Sequence, residues 1–129
     1  MSQWLRSSAL CFAAGCGGGL VESVVAWTAA HFGLTAVIGT HGATALQAGS
    51  LYAHIVWGGL LGLLFLLPLL RKTVVVGGVI AALLVTLIHW IVLPLWWHSG
   101  LHFALWPLLN AVILNLVWGI ATALLLKWI

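Results

Sequence analysis

Residues 51–93 read LYAHIVWGGLLGLLFLLPLLRKTVVVGGVIAALLVTLIHWIVL, which is two apolar runs separated by Arg71 and Lys72. Each run reaches the ~20 residues that an α-helix needs to cross the hydrocarbon core of a bilayer. A basic pair between two such runs leaves room only for a short turn. The stretch therefore predicts two antiparallel membrane helices joined by Arg71 and Lys72.

Two further apolar runs flank this pair, and the whole sequence is 64% hydrophobic and 4% charged. Soluble domains carry about 25% charged residues, so this chain belongs among membrane proteins. The predicted helices span about 5–32, 44–70, 73–93 and 107–127, with Gly33 and Pro94 ending the first and third. The sequence thus predicts one domain, 1–129: an all-α integral membrane protein, a four-helix transmembrane bundle built as two helical hairpins.

The basic residues predict the orientation of this bundle. Arg6, Arg71, Lys72 and Lys127 all fall on one side of the predicted membrane. The positive-inside rule places that side, with both termini, in the cytoplasm of an inner (plasma) membrane. We interpret these charges as a topology signal and predict no nucleic-acid partner. Three tryptophans are predicted to anchor the outer interface: Trp96, Trp97 and Trp106.

A short internal match suggests a repeat. Residues 54–58 read HIVWG and residues 115–119 read NLVWG. The two segments lie at similar places in the second and fourth predicted helices. They predict a parallel internal repeat, in which one hairpin is related to the other by an approximate two-fold axis along the membrane normal.

Each predicted helix has one main buried polar residue, and we name this set the polar cluster: Glu22, His54, His89 and Asn115. Counted from the helix ends at roughly 1.5 Å per residue, the four fall in one layer nearer the outer face. Glu22 is the only acidic residue of the sequence. A carboxylate in hydrocarbon is costly unless it is protonated or paired, so a histidine of the second or third helix is its predicted partner.

Small residues recur every three or four positions on the faces that carry the polar cluster. Residues at this spacing share a helix face, and small ones let membrane helices approach closely. The polar side chains are therefore predicted to point into the bundle rather than at lipid. The glycines predicted to pack the helices are Gly15, Gly19, Gly58, Gly62, Gly78 and Gly119.

The polar cluster has three interpretations at this point. The first is a structural network of hydrogen bonds that fixes the helix register. The second is a site for a divalent metal ion or protons, since two imidazoles and a carboxylate leave a position open for water. The third is a redox site, either haem on two axial histidines or a quinone beside tryptophan rings. The residues considered as metal ligands are Glu22, His54, His89, His98 and His102.

The sequence combines four features along its length. They are a glycine-rich first helix (15–19), the motif His54-x-x-Trp57-Gly58-x-x-x-Gly62, Pro94 and the pair Trp118-Gly119. This combination resembles the YagU-like group of small bacterial inner-membrane proteins. That resemblance implies a four-helix unit and carries over no catalytic residues.

The sequence contains no Asp and no pattern of a nucleophile with its base, so we predict no catalytic residues and favour a non-enzymatic role. We expect an accessory or structural subunit that associates with other membrane subunits or with itself. The alternatives are a metal-ion or proton transporter, channel or sensor, and a redox subunit that binds haem or quinone.

Overall fold

A computed structural model of the chain describes residues 2–34, 48–98, 100 and 104–129. Four helices within them are long and apolar enough to cross a membrane, which confirms the predicted all-α membrane class. No strand occurs in the described ranges. Residues 44–47, the predicted start of the second helix, and His102 lie outside them. The helices are α1 (Gln3–His31), α2 (Ala48–Leu66), α3 (Val74–Trp96) and α4 (Leu105–Trp128).

Local capping interactions define both ends of α1. The Ser2 hydroxyl accepts a hydrogen bond from the Leu5 backbone N–H at 3.4 Å, which satisfies one of the free N–H groups of the first turn. At the other end, Gly33 has a φ of 73°, a left-handed conformation that glycine adopts without steric cost. Its N–H donates to the Ala30 carbonyl at 3.1 Å. The predicted end of the first helix differs from the observed one by a single residue.

The second helix ends earlier than predicted. Its α-helical part, Ala48–Gly62, tightens into a 3₁₀ turn at Leu63–Leu66, and Leu67 then has an extended ψ of 124°. The physical reason is Pro68, because the residue before a proline is disfavoured in the helical region. The prediction that the helix continues to residue 70, with Pro68 in its last turn, is therefore wrong.

The connection between α2 and α3 is longer than the predicted basic pair. A second 3₁₀ turn, Pro68–Arg71, follows the extended residue. Thr73 then caps α3, and its hydroxyl accepts a hydrogen bond from the Val76 N–H at 3.2 Å. The turn thus occupies residues 67–73.

The third helix continues through Pro94, which was predicted to end it. Its first part, Val74–Leu87, is α-helical; Ile88–Val92 forms a π-helix, and Leu93–Trp96 returns to α-helix. Proline has no N–H and its ring clashes with the carbonyl four residues back in a regular α-helix. A wider turn just before it relieves that conflict. The Leu93 N–H accordingly donates to the Ile88 carbonyl, five residues back.

The packing of the helices follows the order α2, α1, α4, α3. Helix α1 packs against α2 and α4, and α4 also packs against α3. Among the described residues, α3 packs against α2 mainly at Leu63–Leu66, the last turn of α2. The described parts of α2 and α3 beyond that turn are separated by a gap.

Glycines allow the close approach of these pairs. A methyl group added at Gly58 would lie 2.6 Å from the Gly15 carbonyl oxygen, and one at Gly62 would lie 2.8 Å from the Gly15 Cα. One added at Gly119 would meet the Gly78 carbonyl. Together with Gly19, these glycines are all buried where two helices cross.

The three tryptophans considered as interface anchors lie at helix ends. Trp96 and Trp97 follow each other at the end of α3, and Trp106 lies in the first turn of α4. All three are exposed.

Candidate functional site: a polar cavity among four helices

A cavity of about 510 Å³ lies where the four helices face one another, and we call it the polar cavity. Every member of the polar cluster lines it, and each comes from a different helix. The structure therefore brings together the four residues that the sequence singled out. The other lining residues are Ala53, Trp57, Gly58, Leu61, Val85, Trp90, Asn110, Ala111, Leu114 and Trp118.

Asn115 is the most firmly held member of the cluster. Its side chain is buried, and its amide nitrogen donates a hydrogen bond to the Thr86 hydroxyl at 2.9 Å. The Thr86 hydroxyl in turn donates to the Ala82 carbonyl at 2.8 Å, one turn back on α3. This chain of two hydrogen bonds orients the amide at the wall of the polar cavity.

Glu22 is partly buried on α1 at the cavity wall. The turn before it is fixed by close packing, since a side chain at Gly19 would meet the backbone of His54 on α2. Across the described part of the chain, Asn115 alone of the four cluster residues makes a side-chain hydrogen bond. The predicted pair between Glu22 and a histidine is therefore not formed among the described residues; the three side chains line one cavity with no hydrogen bond or ion pair between them.

His54 and His89 are exposed, in contrast to the buried Asn115 and the partly buried Glu22, although both line the polar cavity. The physical reason is the gap between α2 and α3, because neither helix covers the other at this level. His89 also lies in the π-helical segment rather than on a regular α-helical face. Both imidazoles line the polar cavity from its open side.

Three tryptophans supply most of the aromatic surface of the cavity: Trp57, Trp90 and Trp118. Trp118 is 2% exposed, and its indole N–H donates to the Gly15 carbonyl at 3.3 Å. Its ring also packs against Phe65, with ring centroids 6.3 Å apart. Trp118 therefore joins α4 to α1 at the wall of the cavity.

Sequence reasoning missed Thr86, which binds Asn115, and the tryptophans that line the polar cavity. Thr86 had a usable signal, because Gly78, Ala82 and Thr86 are spaced four apart and share one face. The His54-x-x-Trp57 spacing placed a tryptophan beside a cluster residue in the same way. Trp90 had no such signal, since its position depends on the π-helix.

The geometry does not assemble a metal site from the described residues. No group of three or more His, Cys, Asp or Glu side chains among them lies close enough to hold an ion. His98, considered as a loop ligand, is exposed at the end of α3 with a φ of 54°. Its predicted partner His102 lies outside the described residues.

The chemistry available in the polar cavity is that of a ligand site. Its volume falls within the roughly 300–1,000 Å³ of small-molecule pockets. Carboxyl, imidazole and amide groups on its wall both donate and accept hydrogen bonds, and the tryptophans offer flat apolar faces. The arrangement suits a molecule with a polar head and a flat or apolar body.

Comparisons of this chain with protein-family models, with curated proteins and with solved structures gave no match.

Proposed function

We propose that this protein is a small, non-enzymatic membrane subunit whose polar cavity binds a lipophilic molecule with a hydrogen-bonding head group, the class to which quinones belong. The observation that carries the proposal is the meeting of Glu22, His54, His89 and Asn115 with three tryptophans in one cavity. A quinone carries two carbonyl oxygens that accept hydrogen bonds, and a flat ring that packs on indole.

The exposure of the two histidines supports a bound ligand. Burying a polar group in hydrocarbon without a hydrogen-bond partner is costly, and His54 and His89 border a gap between two membrane helices. A ligand with polar oxygens in that gap would satisfy both imidazoles. Its apolar part would lie along Trp57 and Leu61 on the α2 side.

Tryptophan fluorescence tests this proposal directly. The purified full chain in detergent is titrated with a benzoquinone that carries a ten-carbon tail. We expect saturable quenching, with affinity reduced about tenfold when His54→Phe and His89→Phe are combined, since each lost hydrogen bond costs about 0.5–1.5 kcal/mol. The matched control is His31→Phe, because His31 stacks on Trp27 outside the cavity. Quenching that never saturates, or that is the same in all variants, would contradict the proposal.

Haem and metal are tested on the same sample. A Soret band that disappears in His54→Ala and His89→Ala would identify the ligand of the polar cavity as haem instead of a quinone. Stoichiometric zinc, copper or iron that depends on the same residues would replace it with a metal ion.

Proton passage is the second candidate, and the position of Glu22 favours it. The sole carboxyl group of the sequence shares a cavity with two imidazoles, and ionisable groups within membranes often relay protons. The test is uptake of protons into proteoliposomes that hold a pH-sensitive dye. Glu22→Gln should abolish uptake and Glu22→Asp should retain it; no uptake by the unaltered chain rejects this candidate.

Association with other membrane subunits is part of the same proposal. Helix α2 packs mainly against α1, and the Val74–Leu87 part of α3 packs mainly against α4, so each leaves an apolar face for a partner or lipid. Mild detergent extraction followed by identification of co-purifying proteins tests this. A chain that runs alone as a monomer from native membranes would contradict it.

We also propose that both termini lie in the cytoplasm. The support is that Arg6, the 67–73 turn and Lys127 belong to one end of the bundle, where the positive-inside rule places the cytoplasm. A fluorescent protein that matures only in the cytoplasm should be bright at either terminus. Fused alkaline phosphatase should be inactive at the same positions, and active phosphatase would reverse the orientation.

The parallel repeat and the likeness to YagU-like proteins remain proposals. Support for the repeat comes from two similar crossings: Gly58 packs against Gly15 and Gly19, and Gly119 packs against Gly78 and Ala82. If the helices are equivalent, exchanging residues 54–58 with 115–119 should preserve the folded yield. Loss of folding in that exchange would argue against equivalence.

A further inference from the structure

A second cavity, of about 600 Å³, lies at the end of the bundle where α1 begins, α4 ends and the 67–73 turn connects α2 to α3. We call it the basic cavity. None of its lining residues belongs to the polar cavity. They are Ser7, Leu10, Phe65, Leu70, Arg71, Lys72, Thr73, Val74, Val75, Ala123, Leu126 and Lys127.

The charge at this cavity is unbalanced. Three of the four Lys and Arg residues of the sequence line it: Arg71, Lys72 and Lys127. The only acidic residue of the sequence, Glu22, lines the other cavity. Like charges brought together repel one another, so an anion bound among them would be favoured.

Arg71 is held in place while part of its guanidinium stays available. Its Nε donates to the Phe65 carbonyl at 2.7 Å, and its Nη2 donates to the Cys11 sulfur at 3.0 Å. A guanidinium has five N–H donors, so these two bonds leave donors free for a ligand. Lys72 and Lys127 are exposed at the rim, where a flexible ammonium can reach a phosphate oxygen.

The start of α3 adds to the attraction for an anion. Its cap, Thr73, and its first two residues, Val74 and Val75, line the cavity. The first N–H groups of a helix point outward and carry a partial positive charge. The deeper wall is apolar, formed by Leu10, Phe65 and neighbouring aliphatic side chains.

We propose that the basic cavity binds the phosphate group of an anionic phospholipid, with an acyl chain along its apolar wall. Basic pockets between membrane helices recognise such head groups by the same combination of clustered cations and hydrocarbon surface. The shared chemistry is that of a phosphate anion, and the apolar wall favours the lipid over free phosphate. This proposal does not depend on what the polar cavity binds.

The experiment measures binding of defined lipids to the full chain in detergent. Phosphatidylglycerol, phosphatidylcholine and inorganic phosphate are each titrated, and bound lipid is counted by native mass spectrometry. We expect phosphatidylglycerol to bind with at least tenfold higher affinity than phosphatidylcholine. Each lysine should contribute about fivefold, so Lys72→Gln combined with Lys127→Gln should lose about 25-fold in affinity.

Two controls separate a built site from general surface charge. Arg6→Gln removes a cation near the same end of the bundle, but Arg6 does not line the cavity, so affinity should remain unchanged. Lys72→Arg with Lys127→Arg keeps both charges and should retain binding. Because both lysines are exposed, the thermal stability of all variants without lipid should stay close to that of the unaltered chain.

Three outcomes would overturn the proposal. Equal affinity for phosphatidylglycerol and phosphatidylcholine would mean that the cavity does not select lipids by the charge of the head group. An equal loss in Arg6→Gln would assign the effect to the surface as a whole. Inorganic phosphate that binds as tightly as phosphatidylglycerol, with the same dependence on both lysines, would make the site one for free phosphate.

Discussion

The side-chain amide nitrogen of Asn115 lies 2.9 Å from the hydroxyl oxygen of Thr86, and this hydrogen bond joins α4 to α3 beside the polar cavity. Both residues are buried, and the Thr86 hydroxyl passes the chain of bonds on to the Ala82 carbonyl. Each partner therefore depends on the other for its orientation.

This relationship predicts a coupled loss of stability. Asn115→Leu and Thr86→Val should each reduce the free energy of unfolding by roughly 0.6–2 kcal/mol, the range for polar contacts between membrane helices. The double variant should lose less than the sum, because the second change removes a bond already broken. Unfolding of the purified chain in mixed micelles measures all three values. Fully additive losses would mean that the two residues act independently.

The close packing at Gly58 predicts that stability depends strongly on side-chain size where α1 and α2 cross. Gly58→Ala places a methyl group 2.6 Å from the Gly15 carbonyl oxygen, so the two helices must move apart. We expect a loss of about 1–3 kcal/mol in the free energy of unfolding, as in overpacked cores.

Gly49→Ala is the matched control, since no heavy atom of the described residues lies within 4 Å of a methyl group at that position on the same helix. It should be neutral or slightly stabilising, because alanine favours the helix over glycine. Equal losses for both substitutions would show that the crossing is less close than described.

The hydrogen bond of Trp118 predicts that replacing its indole ring weakens the contact between α4 and α1. Trp118→Phe removes the indole N–H that donates to the Gly15 carbonyl and keeps an aromatic ring beside Phe65. The loss should be about 1 kcal/mol or more, from one hydrogen bond and a reduced ring volume. Thermal unfolding measures it, and Trp128→Phe is the control because Trp128 is 84% exposed. Identical melting of the two variants would contradict the described contact.

We expect the hydrogen bonds of Arg71, and not its charge, to stabilise the 67–73 turn. Arg71→Lys keeps the positive charge, but a single ammonium does not match the geometry that reaches both the Phe65 carbonyl and the Cys11 sulfur. We expect a loss of about 1 kcal/mol in the free energy of unfolding. Lys72→Arg should leave stability unchanged. If Arg71→Lys is also neutral, the turn does not depend on the guanidinium.

The sequence was sufficient to predict the four spanning helices because a bilayer imposes a length and an apolar composition on each of them. It also pointed to Glu22, His54, His89 and Asn115 of the polar cavity, since a carboxyl, imidazole or amide group stands out in a mainly apolar helix. Asn115 shows why this works: a buried amide in a membrane helix requires a partner, and the small-residue face carries it towards one.

The sequence was not sufficient to predict which helices pack against each other. A stripe of small residues shows that a face is packed, but it does not name the neighbour, so the gap between α2 and α3 was not foreseen. Proline effects were misjudged for a related reason. Pro68 stops a helix through the residue before it, whereas Pro94 is absorbed by the π-helix, and only the packed structure decides between these outcomes.

The gap between α2 and α3 has a mechanical consequence. Residues 67–73 join the two helices at one end, and the helices pack mainly against different partners, α2 against α1 and the Val74–Leu87 part of α3 against α4. A change of about 5° in the angle at that turn would shift the far end of a helix ~30 Å long by about 2.6 Å. If the basic cavity binds a phosphate at Arg71 and the polar cavity binds a ligand at His54, as we propose, the 67–73 turn would connect the two sites.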